Sequence, residues 1–229
     1  AVGLNKGPMT VGKVFTYNGN YPDANKTFNL VLNNYPASKE VSGKRLKFKY
    51  QQDTFRLNIQ YQPQVVKYLN TYPQMDIKYY FNAPIADTTR SSLLNQLTPL
   101  LQGKSEYEAA NLLLRFVQKA FPYKTDEEQF SEENYLFPVE TVFYPYSDCE
   151  DRSVLFAWLT KTLLGLDVVG LSYPGHITTA VAFNTDVPGD SFSFEGKRYV
   201  MADPTYINAN IGSTMPQFKN TKPTFILVQ

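Results

Sequence analysis

The sequence predicts an α+β protein, with helices packed on an antiparallel sheet and a β-rich region ahead of them. Three observations lead there. Residues 1–86 contain short runs that alternate apolar and polar side chains; residues 88–165 carry apolar stripes at helical spacing; residues 167–204 return to alternation between Pro and Gly turns.

In the first region, TFNLVL (27–32), RLKFKY (45–50), TFRLNIQY (54–61) and DIKYYF (76–81) read as strands. Phe55, Leu57, Ile59 and Tyr61 share one face while Arg56, Asn58 and Gln60 share the other, as in a half-buried antiparallel strand. YNGNYPDAN and NNYPASKEVSGK supply turns, and PQVVKYLNTYP (63–73) reads as a short helix. The texture changes near NAPIADTT, which divides the chain into a β-rich part, 1–86, and a second part, 87–229. TTRSSLLNQLTPLLQG is a helix closed by Gly103. Ser105 and Glu108 form a capping box for the next, which carries Leu112, Leu113, Phe116, Val117 and Ala120 on one stripe. A polar-aromatic connector, 122–147, leads to a third helix, capped by Ser147 with Glu150 and ended by Gly165. DVVGLSY, HITTAVAFN, DSFSFEG and KRYVMADP then follow as strands.

Composition narrows the function. The chain has 229 residues, 43% of them hydrophobic, enough for a sizeable core. Its 22 Lys and Arg against 21 Asp and Glu leave no basic footprint for a nucleic-acid partner. No apolar stretch is long enough for a transmembrane helix. The start, AVGLNKGPMTVG, lacks both an initiator Met and an apolar leader and reads as processed. One cysteine allows no internal disulfide, and the Tyr- and Asn-rich, charge-poor make-up leans towards an extracytoplasmic protein, periplasmic or secreted.

That cysteine, Cys149, lies in YPYSDCEDRSVLFAWL, in the first turn of its helix and among Asp148, Glu150 and Asp151. The helix dipole favours a thiolate there, and the acids oppose it. His176, the only histidine, opens one strand, and Asp203 ends the next before Pro204. Singly, each has an ordinary explanation: a buried thiol, a surface imidazole, an Asp-Pro turn. Together they supply a nucleophile, a base and an orienting carboxylate at one end of a sheet. One His and one Cys do not furnish a zinc site, so no metal and no cofactor is expected.

Three segments, SDCEDRSVLFAWLTKTLLGLDV, YPGHITTAVAF and YVMADPTY, resemble the transglutaminase-like superfamily of papain-type cysteine enzymes, in its bacterial form. The likeness reaches back through FPYKTDEEQFSEENYLFPVET and spans residues 90–210. It implies a papain-like core in which Cys149 is the nucleophile, His176 the base and then the acid, and Asp203 the orienting group. Such a triad should bring Cys149 and His176 within about 3–4 Å. Ser147 stands where many relatives carry Gly, and Ile177 and Thr178 where many carry an aromatic, which leaves the substrate class open. The backbone N–H of Cys149 is one oxyanion donor, with Gln129, Tyr144 and Tyr146 as candidates for the second and Gln129 preferred. The expected activity is a cysteine protease or amidase, a hydrolase acting through a thioester on a peptide, protein or cell-wall peptide. A glutamine transglutaminase or deamidase, an acyltransferase with the same catalytic triad, is the first alternative; a non-catalytic binding module is the second.

Overall fold

The structure, a computed structural model, describes residues 31–32 and 34–229. Strands β1 (Ser42–Tyr50) and β2 (Asp53–Tyr61) form a hairpin. Its inward side chains, Leu46, Phe48, Leu57 and Ile59, are buried, following the period-2 pattern. The hairpin packs on the long helices α3 (Asp87–Leu101) and α4 (Glu106–Ala120). Between β2 and α3 lie α1 (Pro63–Leu69) and α2 (Ile77–Phe81). The run TFNLVL lies almost wholly outside the described residues.

DIKYYF is helical, not a strand. Asp76 caps α2 by accepting a hydrogen bond from the Lys78 N–H at 3.0 Å, and the adjacent Tyr80 and Phe81 are both buried. Alternation would have pointed those two rings to opposite faces.

The Ser105–Glu108 capping box starts α4, and Gly103, at φ 73°, follows α3 in the left-handed conformation. The connector holds two short helices, α5 (Asp126–Phe130) and α6 (Pro138–Phe143). The cysteine helix, α7 (Cys149–Leu164), runs through the core with Val154, Leu155, Phe156, Ala157 and Leu159 buried.

A five-stranded antiparallel sheet follows, in the order β5-β6-β4-β3-β7. Its strands are β3 (Asp167–Tyr173), β4 (His176–Ala182), β5 (Ser191–Phe194), β6 (Lys197–Ala202) and β7 (Thr224–Leu227). The last lies beyond the strands read from sequence and pairs with β3 at the sheet edge. Ile177, Val181, Val168, Val200 and Ile226 join the helices in the main core. The other face carries Val169, Leu171, Tyr173, Ala180, Tyr199 and Met201 as a second cluster. By alternation, His176 and Asp203 belong to this second face, beyond the helical layer.

Candidate active site

The cap of α7 is shifted by one residue from the sequence reading. Asp148, not Ser147, is the N-cap: its carboxylate accepts from the Asp151 N–H, and Asp151 accepts in return from the Asp148 N–H. Ser147 instead accepts from Arg152 Nε at 3.1 Å. The shift makes Cys149 the first helical residue, where backbone N–H groups have no partner within the helix.

His176 Nε2 lies 2.9 Å from Asp203 Oδ2, and both side chains are buried. The other carboxylate oxygen of Asp203 accepts from the N–H groups of Thr205 and Tyr206, at 2.8 and 3.1 Å. Gln118, buried in α4, donates to the carbonyls of Asp203, Tyr206 and Ala209. Three hydrogen bonds therefore hold the carboxylate itself, and Gln118 braces the turn that carries it. With Nε2 committed to Asp203, Nδ1 is the ring nitrogen left for another partner.

Helix α7 meets β4 where the Ser153 hydroxyl donates to the Ile177 carbonyl at 3.1 Å. The thiol of Cys149 is buried, and the Ile177 N–H beside it favours its ionised form. It is thus brought one residue from His176. Its own hydrogen bond, however, runs to Glu150 Oε2 at 2.9 Å rather than to the imidazole. Burial pushes the thiol well above its ordinary range, the Glu150 charge adds to this, and the Ile177 N–H opposes it. In this resting arrangement burial and the neighbouring acids together favour the protonated thiol.

Three further carboxyls stand behind the nucleophile. Asp126, Asp148 and Asp151 are buried, and one oxygen of each lies within 4.8 Å of the others. Their side-chain oxygens serve backbone groups: Asp126 takes the Asn134 N–H, and Asp151 takes the Leu136 N–H. Burial raises both Asp148 and Asp151, and like charge raises them further. Among the described residues these are the ones spaced to hold a cation, a combination that a search for His and Cys ligands passes over.

Of the oxyanion candidates, Gln129 has a buried Nε2 with no hydrogen-bond partner. Tyr146 is exposed and lies beneath Lys124 Nζ, 5.3 Å from its ring centre. Tyr144 donates its hydroxyl to Asn70 at 2.8 Å. Two residues near the site were not legible from sequence. Tyr123 pairs with Ser147 and stands under the Arg152 guanidinium; burial, then the Cys149 charge, pushes its hydroxyl up to about 12. Phe218 stacks on His176.

No protein-family model matches the chain, and no curated protein sequence matches it. Among solved structures it is similar to Legionella pneumophila LapG (EGTA-treated), at a TM-score of 0.39 and 16% identity. The match covers 67% of this chain and 84% of that one. A likeness at that level decides neither family nor activity.

Proposed function

We propose that the chain is a cysteine-dependent acyl-transfer enzyme of the transglutaminase-like kind, cleaving an amide or peptide bond through a thioester. The observation that carries this is the buried His176–Asp203 pair beside a helix that begins with Cys149. A surface histidine has no need of a buried carboxylate fixed by two backbone N–H groups and a glutamine-braced turn.

The chemistry follows from the atoms available. Asp203 holds the proton on Nε2, so Nδ1 accepts the thiol proton once the side chain leaves Glu150. The sulfur attacks the carbonyl carbon, and the negative charge on oxygen meets the first N–H groups of α7. The unpartnered amide of Gln129 supports it as a second donor. Imidazolium returns its proton to the leaving amine, the C–N bond breaks, and a thioester remains. Water, deprotonated by the same imidazole, then releases the acid and restores the thiol.

Iodoacetamide labelling of Cys149, read against pH in wild type and His176→Ala, tests the pairing. Mass-spectrometric trapping of an acyl adduct from a peptide and cell-wall digest tests the turnover. A His176→Ala profile identical to wild type, with no adduct formed, would overturn the reading.

A further inference from the structure

His176 and Asp203 lie on the sheet face that the helices do not cover. That exposure is a physical problem for an ion pair, since water weakens it and frees the ring to turn. Yet His176 is 7% exposed and Asp203 only 2%. The cover comes from the chain after β6. A short 3₁₀ turn, Pro216–Phe218, lays the Phe218 ring parallel to the imidazole, with centres 5.0 Å apart and an interplanar angle of 5°. The same ring stacks on Tyr173, the cross-strand neighbour of His176, at 4.8 Å.

The segment is itself tied down. Asp190, just before β5, accepts from the Thr214 N–H at 3.2 Å and pairs with Lys219 Nζ at 3.7 Å. Phe218 also borders an open cavity of about 820 Å³, together with Phe192, Met201 and Phe225. The titratable groups that the sheet sets beside the imidazole are Asp203, bonded to Nε2, and Tyr173, its cross-strand neighbour. A stacked ring takes only the face of the imidazole and leaves both nitrogens for Asp203 and the thiol.

We propose that Phe218 is a positioning residue for the acyl-transfer reaction, holding the plane of the His176 ring and keeping water from its bond to Asp203. The proposal rests on the reading above, that His176 serves Cys149. His176 is the sole histidine, so its ring ¹⁵N signals report the tautomer without ambiguity. In the full chain, wild type should show one tautomer, with the proton on Nε2. Phe218→Ala should show both, and iodoacetamide labelling of Cys149 at pH 7 should slow by about ten- to a hundredfold, the scale of a small misplacement of a reacting group. Phe218→Tyr, which keeps a flat ring, should restore both readouts. If Phe218→Ala does not fold, Phe218→Leu, which keeps the apolar bulk without the flat face, is read in its place and should also mix tautomers. A wild-type tautomer and labelling rate in either variant would overturn the proposal. His176→Ala labelled at the wild-type rate would overturn the acyl-transfer reading, and with it the role assigned to Phe218.

Discussion

After burial itself, Glu150 is the group that acts most on the Cys149 thiol. It accepts the Sγ–H and adds negative charge beside it, so it holds the proton on sulfur. Glu150→Gln removes the charge and keeps the shape. The thiol should then ionise at lower pH, and a fall of about one unit would raise labelling at pH 7 by about tenfold. The pH profile of iodoacetamide labelling measures this; an unchanged or upward-shifted profile would mean that the carboxylate does not govern the sulfur. Asp203 is a second test at this scale. Asp203→Asn keeps the shape and presents an amide to Nε2, favouring the wrong tautomer. Turnover should fall by about 10³- to 10⁴-fold while the circular dichroism stays native. Near wild-type turnover would reduce Asp203 to a turn residue.

Between elements, the site depends on contacts that carry no chemistry of their own. Gln118 links α4 to the turn after β6 through three carbonyls. Gln118→Met fills the same space and leaves those acceptors in a buried setting without their donor, at a cost of about 1–3 kcal/mol. Urea denaturation should show that loss, and turnover should drop with it because the Asp203 carboxylate loses its brace. Stability equal to wild type would mean that water replaces the amide. Gly170 is the close-approach point between β3 and the α2 segment. A Cβ there would lie 2.9 Å from Phe81 and 3.0 Å from Ile226. Gly170→Ala should therefore cost about 1–3 kcal/mol through overpacking, seen as a lower urea midpoint with the m-value unchanged.

For the molecule as a whole, the buried carboxyls behind Cys149 set how stability responds to pH. Burial, then like charge, raises Asp148 and Asp151 above their unfolded values, so the folded state holds protons that the unfolded chain releases. Their contribution is complete below about pH 4, the ordinary carboxylate range, and is lost as pH rises towards the folded values. Urea midpoints should fall from pH 5 to pH 8.5. Asp148→Asn, which keeps an N-cap side chain without the titrating group, should flatten that slope. A midpoint that climbs over the same interval would contradict the assignment.

What the sequence determined by itself was local. The period-2 runs placed β2 and the strands from β3 to β6, and the box of Ser105 with Glu108 started α4, because alternation and capping act within a few residues. The same locality explains the errors. Asp76 beat the apparent alternation of DIKYYF, and a one-residue choice between Ser147 and Asp148 moved the cap of α7. The order of Cys149, His176 and Asp203 suggested the chemistry proposed above, and the structure joins two of the three, His176 and Asp203, by a hydrogen bond. Only the tertiary structure decided the electrostatics. It brought Asp126, 22 residues before Asp148 (148 − 126 = 22), into one buried cluster with it. It turned the thiol to Glu150 and laid Phe218 over His176. Desolvation and stacking depend on which distant surfaces meet, and no short window of sequence contains that.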